Sequence, residues 1–338
     1  VAWGDESFGR RFMRAAFFER FGPAREVLQV GERDTPTPRT GEALVRVRAS
    51  GVNPSDVKLR AGLRPGEKMT YPRIIPHSDG AGVVEAVGPW ADRRLVGRRV
   101  WIWNAQWRRA SGTCAEYVAL PAEQVAPLPD AASFEAGATL GIPAMTAWTA
   151  VCADGSVEGR TVLVTGGAGA VGRYAIQMAK LSGARVIATV SSEEKAAHAD
   201  MADHVIDYRR ENVVRAVNDI TYGAGVDRIV DVDFGGNLEA SAQLIREGGV
   251  IAAYASMGDK TPRLPFYDLM FRNVTLRMLL VYLLDAETRR RGVAQITRWL
   301  ETGRLDCAVA ETFPLADAAA AHEAVERGDG LGTVVVVT

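Results

Sequence analysis

A glycine-rich turn between two apolar runs is the part of this chain whose residue types and spacing most directly predict chemistry. The run Val162–Thr165 leads into a glycine pair and then into Gly169 and Gly172, which complete the spacing G-x-G-x-x-G from Gly167. A helix-like segment over residues 173–181 and a second apolar run follow. Strand, turn, helix and strand in this order form the setting in which such glycines indicate dinucleotide binding. The turn lets the backbone approach a pyrophosphate, which the N–H groups of the helix N-terminus then bind.

The end of the second apolar run indicates which dinucleotide binds. An NAD site usually has an Asp or Glu there for the ribose 2′-hydroxyl, whereas this chain has Ser191 and Ser192, with Lys195 close behind. Hydroxyl groups and a cation suit the 2′-phosphate of NADPH, because they donate hydrogen bonds and charge to an anion. The serines can also cap the next helix, with Ser191 and Glu194 forming a Ser-x-x-Glu pattern, and both roles can hold together. Glu193 and Glu194 are the counter-argument, since either could turn toward the ribose, but the local chemistry favours NADPH.

Bulk composition bounds the function class. The chain has 338 residues, enough for about two domains, and 47% of them are apolar. Its net charge of −1 argues against bulk attraction to nucleic acid or to an anionic membrane. No apolar stretch reaches the ~20 residues of a membrane span. The three cysteines are scattered without a C-x-x-C pattern, so the sequence supports neither a disulfide framework nor a thiolate zinc site and is typical of reduced, cytoplasmic thiols.

The residue pattern changes along the chain. Residues 1–12 are polar and charged, so we expect a leader or an upstream extension before Met13 rather than a signal peptide. Short strands and turns up to about residue 137 predict a β-rich domain, and alternating helices and strands from residue 138 predict a doubly wound parallel sheet. The predicted strands of that sheet are 161–165, 185–189, 204–206, 228–231, 249–254 and 275–280. Residues 332–338 predict a strand that pairs with the β-rich domain. The apolar run 274–284 is either a buried strand or an edge that pairs with a second subunit.

Several stretches together resemble the medium-chain dehydrogenase/reductase superfamily, and within it the zinc-free NADPH:quinone oxidoreductase branch. Besides the glycine turn, they are residues 21–28, 51–56, 76–82, 141–147, 205–208 and 321–324. The resemblance implies an α/β fold of two domains. The expected domains are a GroES-like β-rich catalytic domain, residues 13–137 and 286–338, and a Rossmann NADPH-binding domain, residues 138–285. If the apolar run 274–284 is a sheet edge that pairs with a second subunit, the protein is expected to be a homodimer.

Zinc-containing members of the superfamily hold their catalytic metal with cysteines and a His-Glu pair. At the matching positions this chain has Asn53, Ser78 with Asp79, and Ile142. Tetrahedral zinc needs three protein ligands of the Cys, His or carboxylate type, so we predict no metal. His77 is expected to be a satisfied loop histidine. The other histidines, His198, His204 and His322, are expected near the surface.

The resemblance also implies the roles of individual residues. Asn53 and Thr146 are expected near the nicotinamide and its ribose, where the chemistry occurs. Gly169, Ala170 and Val171 are expected at the pyrophosphate. The 2′-phosphate site is expected to consist of Ser191, Ser192, Lys195 and Tyr208. Tyr254, Ala255 and Ser256 are expected to flank the nicotinamide.

Without zinc, the expected substrates are those that already accept hydride, namely quinones and α,β-unsaturated carbonyls. Two alternatives stay open: an enoyl-thioester or alkenal reductase, and an NADPH-binding protein with little turnover. Lys58 stands where many quinone oxidoreductases have a tyrosine that lines the substrate cleft. It could hold a carboxylate or phosphate of a substrate, or face solvent. Trp103 and Trp107 could line the cleft by stacking or belong to the core.

Overall fold

The computed structural model of the protein describes residues 12–63, 66, 68–328 and 330–338. Most of the predicted leader, residues 1–11, lies outside the described residues, and Phe12 already belongs to the first strand. The chain divides into two compact units. Unit 1 contains the described residues up to Gly141 together with Val309–Thr338, and unit 2 is Ile142–Ala308.

The secondary structure of the described residues follows the predicted change of pattern. The strands are β1 (Phe12–Phe17), β2 (Gln29–Asp34), β3 (Glu42–Val52), β4 (Asp79–Val87), β5 (Arg99–Ile102), β6 (Tyr117–Pro121), β7 (Val125–Pro127), β8 (Thr161–Val164), β9 (Arg185–Val190), β10 (His204–Asp207), β11 (Val226–Asp231), β12 (Ile245–Ala253), β13 (Thr275–Met278), β14 (Val309–Pro314) and β15 (Thr333–Val337). The helices are α1 (Ala24–Val27), α2 (Pro54–Ala61), α3 (Phe134–Gly137), α4 (Met145–Cys152), α5 (Ala170–Leu181), α6 (Glu193–Ala197), α7 (Val213–Thr221), α8 (Phe234–Leu244), α9 (Phe266–Met270), α10 (Ala286–Glu301) and α11 (Ala318–Arg327).

Unit 1 is built around one mixed sheet. Its strand order among the described residues is β14-β15-β3-β4-β5-β7, and β6 also pairs with β3. Helix α11 buries an alanine face, Ala318, Ala321 and Ala324, in the same core as Val334 and Val336 of β15. Strand β15 pairs antiparallel with β3 and parallel with β14, so the predicted pairing of residues 332–338 with the β-rich domain is confirmed.

Unit 2 is a doubly wound parallel sheet. Its strand order in the described chain is β10-β9-β8-β11-β12-β13, and every neighbouring pair is parallel. Because helices cover both faces, the central strands are buried on both sides and appear in the sequence as continuous apolar runs. All six predicted strands are present. The chain order reverses beside β8, which is where ligands of such sheets bind, at the carboxyl ends of the strands.

The unit boundary differs from the predicted domain boundary near residue 286. The prediction placed residues 286–338 in the β-rich domain, whereas residues 286–308 belong to unit 2. Helix α10 buries Ile296 and Trp299, and its Gln295 Oε1 accepts a hydrogen bond of 2.7 Å from Trp148 Nε1 on α4. The sequence predicts this amphipathic helix but does not specify which neighbour its apolar face covers. No helix in the described part of the chain combines the length and apolar character needed to cross a membrane.

Candidate functional site

The glycine turn of unit 2 leads directly into α5. Gly169 is the N-cap residue of α5, so no side chain caps the helix, and no acidic residue lies in its first turn. A Cβ at Gly172 would lie 2.2 Å from the carbonyl oxygen of Gly166, and Gly166 itself has a φ of +67°. The turn can therefore close only with glycine at these positions. Helix α5 starts at Ala170, three residues before the predicted segment, so Ala170 and Val171 belong to its first turn. A pyrophosphate fits this uncapped, acid-free N-terminus.

The carboxyl ends of β9 and β10 bring the predicted 2′-phosphate residues together. Asp207 of β10 is the register partner of Val190 of β9, and the next residue, Tyr208, donates its backbone N–H to Val190 O at 3.0 Å. Tyr208, 50% exposed, therefore lies next to the strand end that Ser191 follows. Ser191 and Tyr208 thus follow two neighbouring strands at the same edge of the sheet.

Helix α6 begins one residue later than the capping pattern predicts. Its N-cap is Ser192, whose Oγ accepts the backbone N–H of Lys195 at 3.3 Å. The predicted cap from Ser191 is therefore wrong, because Ser191 directly follows β9, and its hydroxyl takes no part in the cap. Glu193, the carboxylate that could compete for the ribose, lies 4.0 Å from the guanidinium of Arg210. Arg210 is a further residue of this strand end, and its position two residues after Tyr208 is the signal in the sequence that could have shown it.

A buried carboxylate orders the adjacent end of β11. Asp231 Oδ1 accepts hydrogen bonds from Thr165 Oγ1 at 2.9 Å, Asn237 Nδ2 at 2.7 Å and the backbone N–H of Asp233 at 3.0 Å. Thr165 directly follows β8 and precedes the glycine turn, and Asn237 lies on α8. This bonding fixes the turn relative to the next strand, and no local pattern around Asp231 in the sequence predicts that role.

The predicted nicotinamide-flanking residues follow β12. Tyr254 donates its backbone N–H to Asp231 O at 3.1 Å, and Ala255 O accepts the backbone N–H of Phe234 at 2.9 Å. Ser256 Oγ accepts the N–H of Gly235 at 2.9 Å. Burial, followed by the charge of Asp231, raises the pKa of the Tyr254 hydroxyl, so this group stays protonated. The segment is thus held at the carboxyl edge of the sheet.

Asn53 is the predicted site residue of unit 1 whose surroundings are most tightly defined. It is 3% exposed and is the N-cap residue of α2. Its backbone N–H donates to Asp56 Oδ2, and its Nδ2 donates to Asp79 Oδ2, both at 2.8 Å. The Asp79 carboxylate packs on the backbone of Gly141, where a Cβ would lie 2.1 Å from Oδ1. The Asn53 amide therefore has one orientation.

Two histidines of unit 1 form a buried pair. The Nε2 atoms of His77 and His322 are 2.9 Å apart, and both residues are fully buried. The expectation that His322 lies near the surface is wrong, because α11 turns its small-residue face, and His322 with it, into the unit 1 core. The spacing of His322 four residues after Ala318 is the signal that could have shown this.

The remaining predicted residues occupy different elements. Thr146 lies on α4 of unit 2 and is 4% exposed. Lys58 is a half-buried residue of α2 in unit 1. Trp103 is 4% exposed, and its ring centroid lies 5.2 Å from that of Trp101, which fits the alternative that it belongs to the core. Trp107 is partly exposed.

Comparison with known proteins shows the family. Residues 39–130 match the alcohol dehydrogenase GroES-like domain, and residues 170–298 match the zinc-binding dehydrogenase domain. A quinone oxidoreductase of Pongo abelii is 32% identical over 95% of this chain and 96% of its own length. The chain belongs to the medium-chain dehydrogenase/reductase superfamily. Within it, the chain belongs to the quinone oxidoreductase branch, as the resemblance predicts. Unit 1 is thus a GroES-like domain and unit 2 a Rossmann domain.

Two further relatives bear on the chemistry of this medium-chain reductase. A 2-haloacrylate reductase of Burkholderia is 30% identical over 96% of this chain and 98% of its own length. A mycobacterial protein whose structure was solved in complex with NADPH is 30% identical, covers 96% of this chain with all of its own, and superposes with a TM-score of 0.83.

The zinc that the superfamily implies does not fit the residues of this chain. The amide nitrogen of Asn53 points at Asp79 as a hydrogen-bond donor, and Ser78 and Ile142 supply no thiolate or imidazole. Among the residues that the structure describes, no three His, Cys, Asp or Glu side chains are grouped as metal ligands. One carboxylate does not hold tetrahedral zinc.

Proposed function

We propose that this protein is an NADPH-dependent reductase that transfers hydride to quinones or α,β-unsaturated carbonyls without a catalytic metal. The observation that carries the proposal is that two features occur together in unit 2. The helix that follows the glycine turn has no acidic residue in its first turn. The end of β9 is followed by hydroxyl groups and a cation, where an NAD site has a carboxylate. The NADPH complex of the mycobacterial relative supports the same cofactor. When bound, NADPH supplies the hydride.

Each part of unit 2 then has a binding task. The backbone N–H groups of Ala170 and Val171 bind the pyrophosphate. Gly169, whose own N–H donates to Gly166 O at 3.1 Å, lets the pyrophosphate approach the backbone, and Gly167 and Gly172 let the turn close. Ser191, Lys195 and Tyr208 bind the 2′-phosphate, while Ser192 starts α6 and so positions Lys195. The segment Tyr254–Ser256 borders the nicotinamide ring, and the Asp231 hydrogen bonds keep it at the sheet edge.

Asn53 and Thr146 are the residues that we assign to the reacting end of the cofactor. The Asp79 carboxylate orients the Asn53 amide, and we assign the dipoles of this amide to the nicotinamide and its ribose. Such preorganised groups stabilise charge that develops during hydride transfer without having to reorient. The carbonyl of an enone or quinone is already a good hydride acceptor, so no Lewis acid is required.

An activated alkene that carries a carboxylate is a second candidate substrate class. Lys58 places a cation on α2, five residues after Asn53, where many relatives have a tyrosine. The Burkholderia relative is a 2-haloacrylate reductase, and a haloacrylate is an activated alkene that carries a carboxylate. A salt bridge from Lys58 would favour such a substrate over a neutral quinone.

The test is the rate of NADPH oxidation, followed at the nicotinamide absorbance band in the presence of EDTA. The acceptors are an ortho-quinone, a para-quinone, an alkenal, a 2-haloacrylate and an enoyl thioester, and NADH replaces NADPH in parallel reactions. We expect EDTA-resistant oxidation of NADPH, much faster than of NADH, with a quinone or an enone. EDTA-sensitive turnover contradicts the metal-free proposal, and tight NADPH binding without turnover of any acceptor favours the non-catalytic alternative. A Lys58→Met variant that loses only haloacrylate reduction identifies the second substrate class.

We also propose a homodimer and a cytoplasmic location. Strand β13 forms one edge of the unit 2 sheet, and Met278, Leu280 and Leu283 in and after it are exposed. An apolar sheet edge of this kind favours pairing with a second copy. Among the residues that the structure describes, Cys114, Cys152 and Cys307 are not in disulfide bonds, which fits a reducing compartment.

A further inference from the structure

Four side chains connect α11 to the backbone of β4 through the interior of unit 1. His322 Nε2 lies 2.9 Å from His77 Nε2, and His77 Nδ1 lies 2.8 Å from Ser50 Oγ. Ser50 Oγ lies 2.7 Å from Thr113 Oγ1, which in turn lies 2.5 Å from the carbonyl oxygen of Asp79. Ser50, Thr113 and both histidines are buried, so water does not compete for these contacts.

The direction of every hydrogen bond follows from the last acceptor. A carbonyl oxygen only accepts, so Thr113 donates its proton to Asp79 O and must accept from Ser50. The Ser50 proton is then committed to Thr113, so Ser50 accepts from His77 Nδ1–H. A neutral His77 therefore has a bare Nε2, which accepts from His322 Nε2–H. The Nδ1 of His322 is left without a proton, in agreement with its lack of a hydrogen-bond partner among the described residues.

The backbone around His77 is held in a conformation that side chains rarely adopt. His77 has a φ of +76°, which costs a non-glycine residue about 1–2 kcal/mol. Backbone hydrogen bonds from Gly112 N to Ile75 O at 2.8 Å and from Thr113 N to His77 O at 3.0 Å hold the segment in place. A strained residue that its surroundings fix in this way is typical of a functional site.

We propose that the chain of hydrogen bonds from His322 through His77, Ser50 and Thr113 positions Asp79, and through Asp79 orients the Asn53 amide for the reaction. The proposal rests on the role given to Asn53 in the proposed function. The chain fixes the Asp79 peptide group, and the Asp79 carboxylate accepts the Asn53 Nδ2 proton at 2.8 Å. Ser50, His77, Thr113 and His322 are thus positioning residues. They act through Asp79 and have no assigned contact with substrate or cofactor.

The first test reads the tautomers directly. The sequence has four histidines, so a two-bond ¹H–¹⁵N correlation spectrum of the full-length protein resolves each imidazole. We expect His77 to carry its proton on Nδ1 and His322 to carry its proton on Nε2, with assignments from His77→Gln and His322→Gln spectra. A His77 that is protonated on Nε2 overturns the direction of the chain and the proposal with it.

The second test removes one hydrogen bond of the chain and keeps the volume of the side chain. Thr113→Val deletes the donor to Asp79 O, whereas Thr113→Ser restores the hydroxyl. The matched control is Thr221→Val on α7, because Thr221 is also buried and its hydroxyl donates to Val217 O at 2.8 Å. We expect Thr113→Val to lower kcat by about 10- to 100-fold with little change in the KM for NADPH. Thr113→Ser should recover most of this loss.

A third measurement does not depend on turnover. In the wild-type protein the Asn53 side-chain amide should exchange its hydrogens slowly, because Asp79 holds it in a buried position. Thr113→Val should accelerate this exchange by about tenfold or more, and Thr221→Val should leave it unchanged. A folded Thr113→Val variant with wild-type Asn53 exchange overturns the proposal. If no acceptor is reduced but the tautomers and the exchange behave as expected, the proposed function fails while the positioning chain stands.

Discussion

At the scale of single residues, we expect cofactor choice to depend on the groups at the ends of β9 and β10. Lys195→Glu replaces the predicted phosphate cation with an anion, and charge-assisted hydrogen bonds of this kind contribute about 1.5–3 kcal/mol. We expect the Kd for NADPH to rise by about 10- to 100-fold, while the Kd for NADH changes little. Titration of nicotinamide fluorescence with both cofactors measures the change.

The control for this prediction is Lys180→Glu, which reverses a lysine at the far end of α5 that pairs with Asp203 at 2.6 Å. It should leave the preference between the two cofactors unchanged. Equal weakening of NADPH and NADH binding by Lys195→Glu would show that Lys195 does not contact the 2′-phosphate.

The buried histidine pair predicts how the protein responds to acid. Burial lowers the pKa of His77 to about 3. Burial, and then the charges of His77 and Arg60, lower the pKa of His322 well below its usual range. The folded state therefore keeps both rings neutral, whereas the unfolded chain takes up protons below about pH 6.5. The part of the free energy of unfolding that comes from this pair is fully present above about pH 6.5. Below that pH it falls by about 1.4 kcal/mol per pH unit for each histidine, until the pH reaches the folded-state pKa.

His322→Gln should halve the part of this slope that comes from the pair, because only His77 then resists protonation. Urea denaturation at about pH 7, 6 and 5 gives the slope. His198→Gln, a half-exposed histidine outside the pair, is the matched control and should keep the wild-type slope. A wild-type slope in the His322→Gln variant would mean that this ring is not held neutral.

At the scale of elements, the glycine turn combines two separable properties, closure of the backbone and access for the pyrophosphate. Gly172→Ala places a Cβ 2.2 Å from Gly166 O, so we expect the turn to shift and the protein to lose about 1–3 kcal/mol of stability. At Gly169 the nearest atom to a new Cβ is 3.5 Å away and φ is −73°, so Gly169→Ala should keep the wild-type Tm.

The two variants should therefore separate in a paired measurement of Tm and NADPH affinity. Gly172→Ala lowers both, whereas Gly169→Ala lowers only the affinity, because its methyl group stands where the pyrophosphate approaches. A Gly169→Ala protein with wild-type affinity would show that the phosphate lies elsewhere.

At the scale of the whole molecule, the apolar edge of unit 2 predicts self-association. Met278 and Leu283 are 64% and 60% exposed. Exposure of a patch of large apolar side chains to water is unfavourable, and a second copy that covers the patch would remove it from water. Met278→Asp should shift the mass measured by light scattering after gel filtration from dimer to monomer. Met201→Asp changes a 41% exposed methionine elsewhere in unit 2 and should leave the mass unchanged. A monomeric wild-type protein contradicts the proposed dimer.

The sequence predicts those parts of the fold that depend on local pattern. The strands of unit 2 are buried on both faces and so appear as apolar runs, and the glycine turn has a spacing that few other structures require. The resemblance correctly identifies the superfamily. The local sequence does not predict contacts between residues that are far apart in the chain. His77 and His322 are 245 positions apart, and nothing in the sequence around either residue specifies the other as its partner. Helix α10 likewise shows its amphipathic pattern but not its partner, which explains the difference at residue 286.

The position of β15 between β3 and β14 has a consequence for the order of events during synthesis. All of unit 2 leaves the ribosome before β15, whereas unit 1 lacks an inner strand of its sheet until residues 333–337 emerge. Until then the edge of β3 that later pairs with β15 is open, and exposed strand edges recruit other chains. Translation that stalls after residue 308 should therefore yield a nascent chain with a folded nucleotide-binding half and an aggregation-prone remainder, so slow decoding of residues 309–338 should favour aggregation.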